Sequence, residues 1–253
     1  MSWLVDHPLE LFAVTLLLLW GAAQAGVLAR RHAHRLSSAE HAEFDLVRGA
    51  MLTLLGLLVA FAISMAVARY DQRKTYEEAE ANAIGTEYLR LDLLPQESAA
   101  MAHALLRTYV NERIEYYSDH DPDRERRSDP ETARTQASLW AAVLPEARAN
   151  PTQITALVVA GMNDVINSQG YTLAAWRDRL PIEVWTLLIL VAIVCNFLIG
   201  FGAERLSLAT QAILPLTVAL AFVLIADVEG PRSGLVQVQP VNIRDVAEAI
   251  REK

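Results

Sequence analysis

The chain carries one cysteine, Cys195, among its 253 residues, so no intramolecular disulfide can form and no zinc cluster can be built on thiolates. Lys and Arg total 22 against 30 Asp and Glu, a net charge of −8, and the basic excess that a nucleic-acid-binding face needs is missing. No nucleophile elbow, phosphate-binding glycine loop or paired-histidine motif occurs, which leaves enzymatic readings without reacting groups. Internal repeats and low-complexity tracts are absent as well. The most telling gap is in charge: residues 11–29, 49–68, 184–203 and 206–226 contain no Asp, Glu, Lys or Arg.

Each of these stretches is about 20 residues long, enough to cross the hydrocarbon core of a bilayer as a helix. With 53% of residues apolar and the charges held outside the stretches, hydrocarbon is the expected solvent for much of the chain. The predicted fold is an all-α membrane protein, four transmembrane helices with a helical soluble domain, residues 69–183, inserted between the second and third. The first stretch reads as a span and not as a cleaved leader. Asp6 and Glu10 precede it and no Lys or Arg does, the wrong flank for a signal peptide despite the small residues of Ala23-Gln24-Ala25.

Span two has no proline or turn cluster to end it. Helix-compatible sequence runs on to about Leu94, where Pro95 stops it, and from Ala50 such a helix would be roughly 65 Å long at 1.5 Å per residue. A membrane helix that continues far into water is a candidate pore wall. A second helix is expected over residues 96–118, with Met101, Leu105, Val110 and Ile114 as its apolar stripe, and others over 131–147 and 152–178. Residues 119–130 are almost wholly charged or polar and read as an exposed loop. Glu204 and Arg205 alone separate spans three and four, which makes them a hairpin. In the tail, residues 227–253, a turn at 230–234 is followed by an alternating segment, 235–239, expected as a short strand, and by a terminal helix over 243–253.

Four spans put both termini and the 69–183 domain on one side. Arg30, Arg31, Arg35, Arg48 and Arg205 in the links nearly balance Arg69, Arg73, Lys74, Arg177, Arg179 and Arg232 on the other side, so the positive-inside rule does not choose an orientation. His32, His34 and His41, with Glu40, Glu43 and Asp45 nearby, match no compact metal template, and neither a metal nor a cofactor is expected.

Helical spacing divides the extension of span two into faces. Glu78, Asn82 and Thr86 share one side; Glu77, Glu80, Ile84 and Glu87 lie on another. Around a symmetry axis, one such row becomes rings of carboxylates and amides, which attract hydrated cations. The plainer reading is a solvated helix with pairs such as Arg73 with Glu77 and Lys74 with Glu78, each worth about 0.2–0.5 kcal/mol. Within span two, Phe61 and Met65 are the candidates for a narrow apolar neck, with the small Ser64 and Ala68 beside them. Pro231 and Arg232 form a polar turn in the tail, and Arg232 could meet Glu78 or Glu80.

The run Ala68-Arg69-Tyr70, then Glu80-Ala81-Asn82-Ala83-Ile84-Gly85-Thr86, Glu87, Tyr88-Leu89-Arg90 and Asp92-Leu93-Leu94-Pro95, together with Pro231-Arg232-Ser233-Gly234-Leu235, resembles a bacterial family of bestrophin-like domain proteins. The resemblance implies a homo-oligomeric ion channel of the bacterial inner membrane, pentameric by analogy. Its pore would be lined by the second span, the helical domain would lie in the cytoplasm, and lipid and inorganic ions would be its partners. Two features of bestrophins have no counterpart here: the acidic calcium clasp, and a neck of aromatic and Ile residues at regular helical spacing. Calcium gating and anion selectivity are therefore not carried over. The rival reading, from another class, is a membrane-anchored interaction or stress-signalling protein that conducts nothing.

Overall fold

A computed structural model describes residues 7–32, 37–119, 121, 130–203, 208–230, 232 and 234–251. The helices, in chain order, are α1 (Pro8–His32), α2 (Ser38–Arg90), α3 (Gln96–Ser118), α4 (Pro130–Ala149), α5 (Gln153–Arg177), α6 (Ile182–Phe201), α7 (Leu208–Glu229) and α8 (Val241–Arg251), with a 3-10 turn at Leu91–Leu93. No strand occurs among the described residues. The chain divides into two compact units, Met1–Ala68 with Arg179–Val236, and Arg69–Asp178 with Gln237–Lys253. Four helical stretches are long and apolar enough to cross a membrane, Pro8–His32, Ala39–Leu93, Gln153–Phe201 and Gln211–Glu229, and the protein is a membrane protein.

The first unit holds α1, the beginning of α2, α6 and α7. Pro8 opens α1, where its missing N–H costs nothing, and Arg30, Arg31 and His32 close it against the negative end of the helix dipole. Ser37 and Glu40 start α2 with a reciprocal cap: the Ser37 amide donates to the Glu40 carboxylate at 2.6 Å and the Glu40 amide to Ser37 Oγ at 3.4 Å. Small residues bring α1 and α6 into backbone contact. A Cβ on Gly26 would fall on the Phe197 carbonyl, and one on Gly200 on the Ala23 carbonyl. The interior gathers Leu19, Leu55, Ala62, Ala66, Leu188, Ala192 and Phe222, with Trp185 edge-on to Phe222 at 5.9 Å. Leu17, Leu28, Leu187, Leu190, Ile213 and Leu220 face outward, an arrangement that water would penalise and hydrocarbon favours.

The second unit is the rest of α2 with α3, α4, α5 and α8. Its core joins Ile84 and Tyr88 of α2, Leu106 and Tyr109 of α3, Leu139 and Val143 of α4, Val158 and Met162 of α5, and Ile243 and Ala247 of α8. Thr152 and Thr155 cap the start of α5. Glu77 does the same for α8 from a distance of 166 positions: its buried carboxylate accepts from the Ile243 amide at 3.0 Å and from Asn242 Nδ2 at 2.6 Å.

Several expectations change. The alternating segment 235–239 is not a strand, because the Leu235 and Val236 amides turn to the Asp227 carboxylate, at 2.6 and 3.2 Å, instead of to another strand. Of the stripe expected on α3, Val110 is buried and Leu105 and Ile114 pack against the core. Met101 is exposed, while Ala102, Leu106, Tyr109, Val110, Arg113 and Tyr117 are buried, since the polar tips of the larger residues find partners inside. Regular α-helix ends at Arg90, and the 3-10 turn carries the chain to Leu94 before Pro95. Arg73 does not serve a simple surface pair with Glu77. It is buried and donates to the carbonyls of Ala175 and Asp178, at 3.1 and 3.2 Å. His34, Pro231, Glu204, Arg205 and most of the charged loop lie outside the described residues.

Candidate functional site

A helix that passes through two packed units has to hide some of its faces and leave others open, and α2 does so with a regular period. In the first unit Leu57, Phe61, Ser64, Met65 and Ala68 are exposed while Leu55, Ala62 and Ala66 are buried. In the second, Asp71, Thr75, Glu78, Asn82, Thr86 and Leu89 are exposed while Arg73, Glu77, Glu80, Ala81, Ile84, Glu87 and Tyr88 are buried. Steps of three and four along each open row keep it on one side of the helix. Phe61 is 56% exposed and Met65 38%, so the two candidates for a neck stand clear of the unit's own core. The open row of the second unit carries carboxylates, hydroxyls and an amide, too polar for a core and too uneven for a face that merely repels its like.

The residues singled out in the sequence therefore separate. Phe61, Ser64, Met65, Ala68, Asn82 and Thr86 lie on open faces. Glu80, Glu87 and Tyr88 turn inward. Glu80 is fully buried: Arg113 donates through Nε and Nη2, Tyr117 through its hydroxyl at 3.0 Å and Thr172 through Oγ1 at 3.0 Å. The Arg113 guanidinium lies over the Tyr116 ring at 4.5 Å and the Tyr117 ring at 5.5 Å. Burial, and then the Glu80 carboxylate, push the Tyr117 phenol well above its ordinary range, which keeps it a donor. Arg69 pairs with Asp178 at 2.9 Å, and Tyr70 packs against the core. A Cβ on Gly85 would meet the Val246 side chain of α8 at 3.5 Å, an ordinary packing contact. The Tyr88 hydroxyl donates to the Ile250 carbonyl at 3.3 Å and receives Arg107, tying the end of α8 down. Arg90 is half-buried, 3.9 Å from Glu87.

The tail turn is held by a residue that sequence reading passed over. Asp227 accepts from the Leu235 and Val236 amides, and its backbone and carboxylate occupy the space that a Cβ on Gly234 would need. The glycine is required by that close approach. Arg232 is buried in the same region of the first unit. Glu80, one of the partners expected for Arg232, has its hydrogen bonds from Arg113, Tyr117 and Thr172, while Glu78 is exposed. Arg113, buried on α3 and 33 positions from Glu80, carries no local signal in the sequence. His32 and His41 bond to the carbonyls of Leu28 and Ser37 at 2.9 and 3.0 Å.

These features lie within one match. A family model described as bestrophin-like domain aligns with residues 16–243. The chain belongs to the bestrophin-like family. No match was found among curated proteins. Among solved structures, the bestrophin-like chain is similar to a bacterial bestrophin homologue from Klebsiella pneumoniae. A form phased with zinc gives a TM-score of 0.63 at 14% identity over 96% of this chain and 97% of that one. A point variant of the homologue gives 0.65 at 13% identity, over 97% and 96%. Likeness at this level of identity establishes that the bestrophin-like chain has the fold of those proteins along nearly its whole length.

Proposed function

We propose that the protein is a homo-oligomeric ion channel of the bacterial inner membrane, with α2 from each subunit lining the ion path and the 69–183 domain, inserted between the second and third spans, in the cytoplasm. The observation that carries this reading is the open row along α2. Phe61 and Met65, with the small Ser64 and Ala68 alongside, supply an apolar constriction that can empty of water. Glu78, Asn82 and Thr86 supply the polar rings beyond it, and carboxylates at that place favour cations. Of the two rows on the extension, the one with Glu80 and Glu87 does not supply charged rings, because those two side chains are enclosed in their own unit. Five subunits about the axis is the number that family analogy supports.

Recording from purified protein in planar bilayers tests the proposal. Current under an ion gradient, blocked by thiol reagents after Ser64→Cys or Asn82→Cys but not after Leu190→Cys on a lipid-facing side, is the expected result. Silence from purified oligomers under every gradient, with both cysteines unreactive, refutes it and leaves the membrane-anchored interaction protein as the better account.

A further inference from the structure

Glu87 is the polar side chain in the second unit whose surroundings explain it least. It is fully buried, and neither carboxyl oxygen has a hydrogen-bond partner among the described residues. Buried carboxylates are otherwise partnered here: Glu80 has four donors and Glu77 has two. Glu87 is instead pressed onto the backbone of α5 at Gly161. A Cβ on that residue would fall on Glu87 Oε2 and against Arg90 Nη1. The glycine is what lets α2 and α5 close over a bare carboxyl group.

The charged groups around it do little to stabilise an anion. On its own helix Arg90 stands off at 3.9 Å, beyond hydrogen-bond reach, and from α5 the exposed Asp164 adds like charge. Asp92 of the 3-10 turn faces His103, at 3.6 Å. We propose that Glu87 and Gly161 form a proton-operated latch between α2 and α5, closed while the carboxyl group is protonated and released when it ionises. The cause is solvation: a protonated carboxyl tolerates a dry contact, whereas a carboxylate without donors must reach water, and here only separation of the two helices provides it. Burial, partly offset by Arg90 and reinforced by Asp164, pushes the Glu87 carboxyl up to about 8, so the latch works near physiological pH.

Hydrogen-exchange mass spectrometry of the full chain in detergent micelles tests this, with rates corrected for the intrinsic pH dependence of exchange. Between about pH 6 and about pH 10, on either side of the Glu87 value, protection of the amides of residues 158–165 is expected to fall about tenfold or more in the wild type. Glu87→Gln, uncharged throughout, keeps the protection of the acidic form at every pH. Gly161→Ala, which puts a methyl group into the contact, is poorly protected even at the acidic end. The latch is refuted if wild type and Glu87→Gln follow the same profile, if Asp164→Asn abolishes the pH dependence as fully as Glu87→Gln, or if Gly161→Ala retains wild-type protection.

Discussion

Replacing Arg113 by methionine removes the principal partner of a carboxylate that has no route to water. Glu80 would keep the hydroxyls of Tyr117 and Thr172, each at 3.0 Å, but lose its counter-charge. Breaking a buried pair from one side costs about 3–5 kcal/mol, and the lost contact of the guanidinium with two tyrosine rings adds to it. At about 2–4 °C per kcal/mol for a chain of this size, the melting temperature should fall by about 6–20 °C. The double variant Glu80→Leu with Arg113→Met behaves differently. It strands no charge, and Tyr117 and Thr172 still bond to each other at 3.3 Å, so it should lie within about 2 kcal/mol of wild type. Trp176, 5.2 Å from Tyr117 and 5.4 Å from Tyr116, reports the transition locally by its fluorescence. If the double variant loses the sum of the single losses, or Arg113→Met loses under about 1 kcal/mol, the pair is not coupled as argued.

Gly200→Leu should block the contact of α1 with α6 and leave little folded protein after extraction, read by size-exclusion chromatography, whereas Gly21→Leu, with open space around it, should be tolerated. Asp227→Ala should cost about 1–3 kcal/mol by orphaning the Leu235 and Val236 amides, seen as faster proteolysis of the tail. Between its ordinary value of 4.5 and about 8, Glu87 keeps its proton in the native state while the unfolded chain has lost it, so native stability falls as pH rises through that window, by at most about 5 kcal/mol in all. Glu87→Gln should flatten that slope in urea titrations run across the window. Phe61→Ala should raise single-channel conductance by widening the apolar constriction, and unchanged conductance would remove Phe61 from the neck.

The membrane helices were legible because hydrocarbon admits so few alternatives: a 20-residue stretch without charge has one stable conformation. The limits of α3 at Gln96 and Ser118 and of α2 near Pro95 followed from proline and from turn-forming polar residues. What could not be read was which polar residues go inside. Arg73, Arg113, Glu77 and Glu80 are indistinguishable by type from Glu78, yet each is buried against a partner 33 or more positions away. Local periodicity has no access to such partners. The same blindness put Met101 on the stripe of α3 and turned 235–239 into a strand, since the acceptor for its amides, Asp227, belongs to the preceding helix. The open row of Glu78, Asn82 and Thr86 did follow from spacing, because exposure is what remains once a helix has spent its other faces.

The cap that Glu77 places on α8 has a consequence for biosynthesis. Residue 77 leaves the ribosome 165 and 166 positions ahead of Asn242 and Ile243, which satisfy it. Until then the seam that Ile243, Ala247 and Ile250 fill stands open beside an unanswered negative charge. A nascent chain halted before about residue 240 presents that greasy cleft to chaperones and proteases, so synthesis of α8 becomes a checkpoint on whether the product survives.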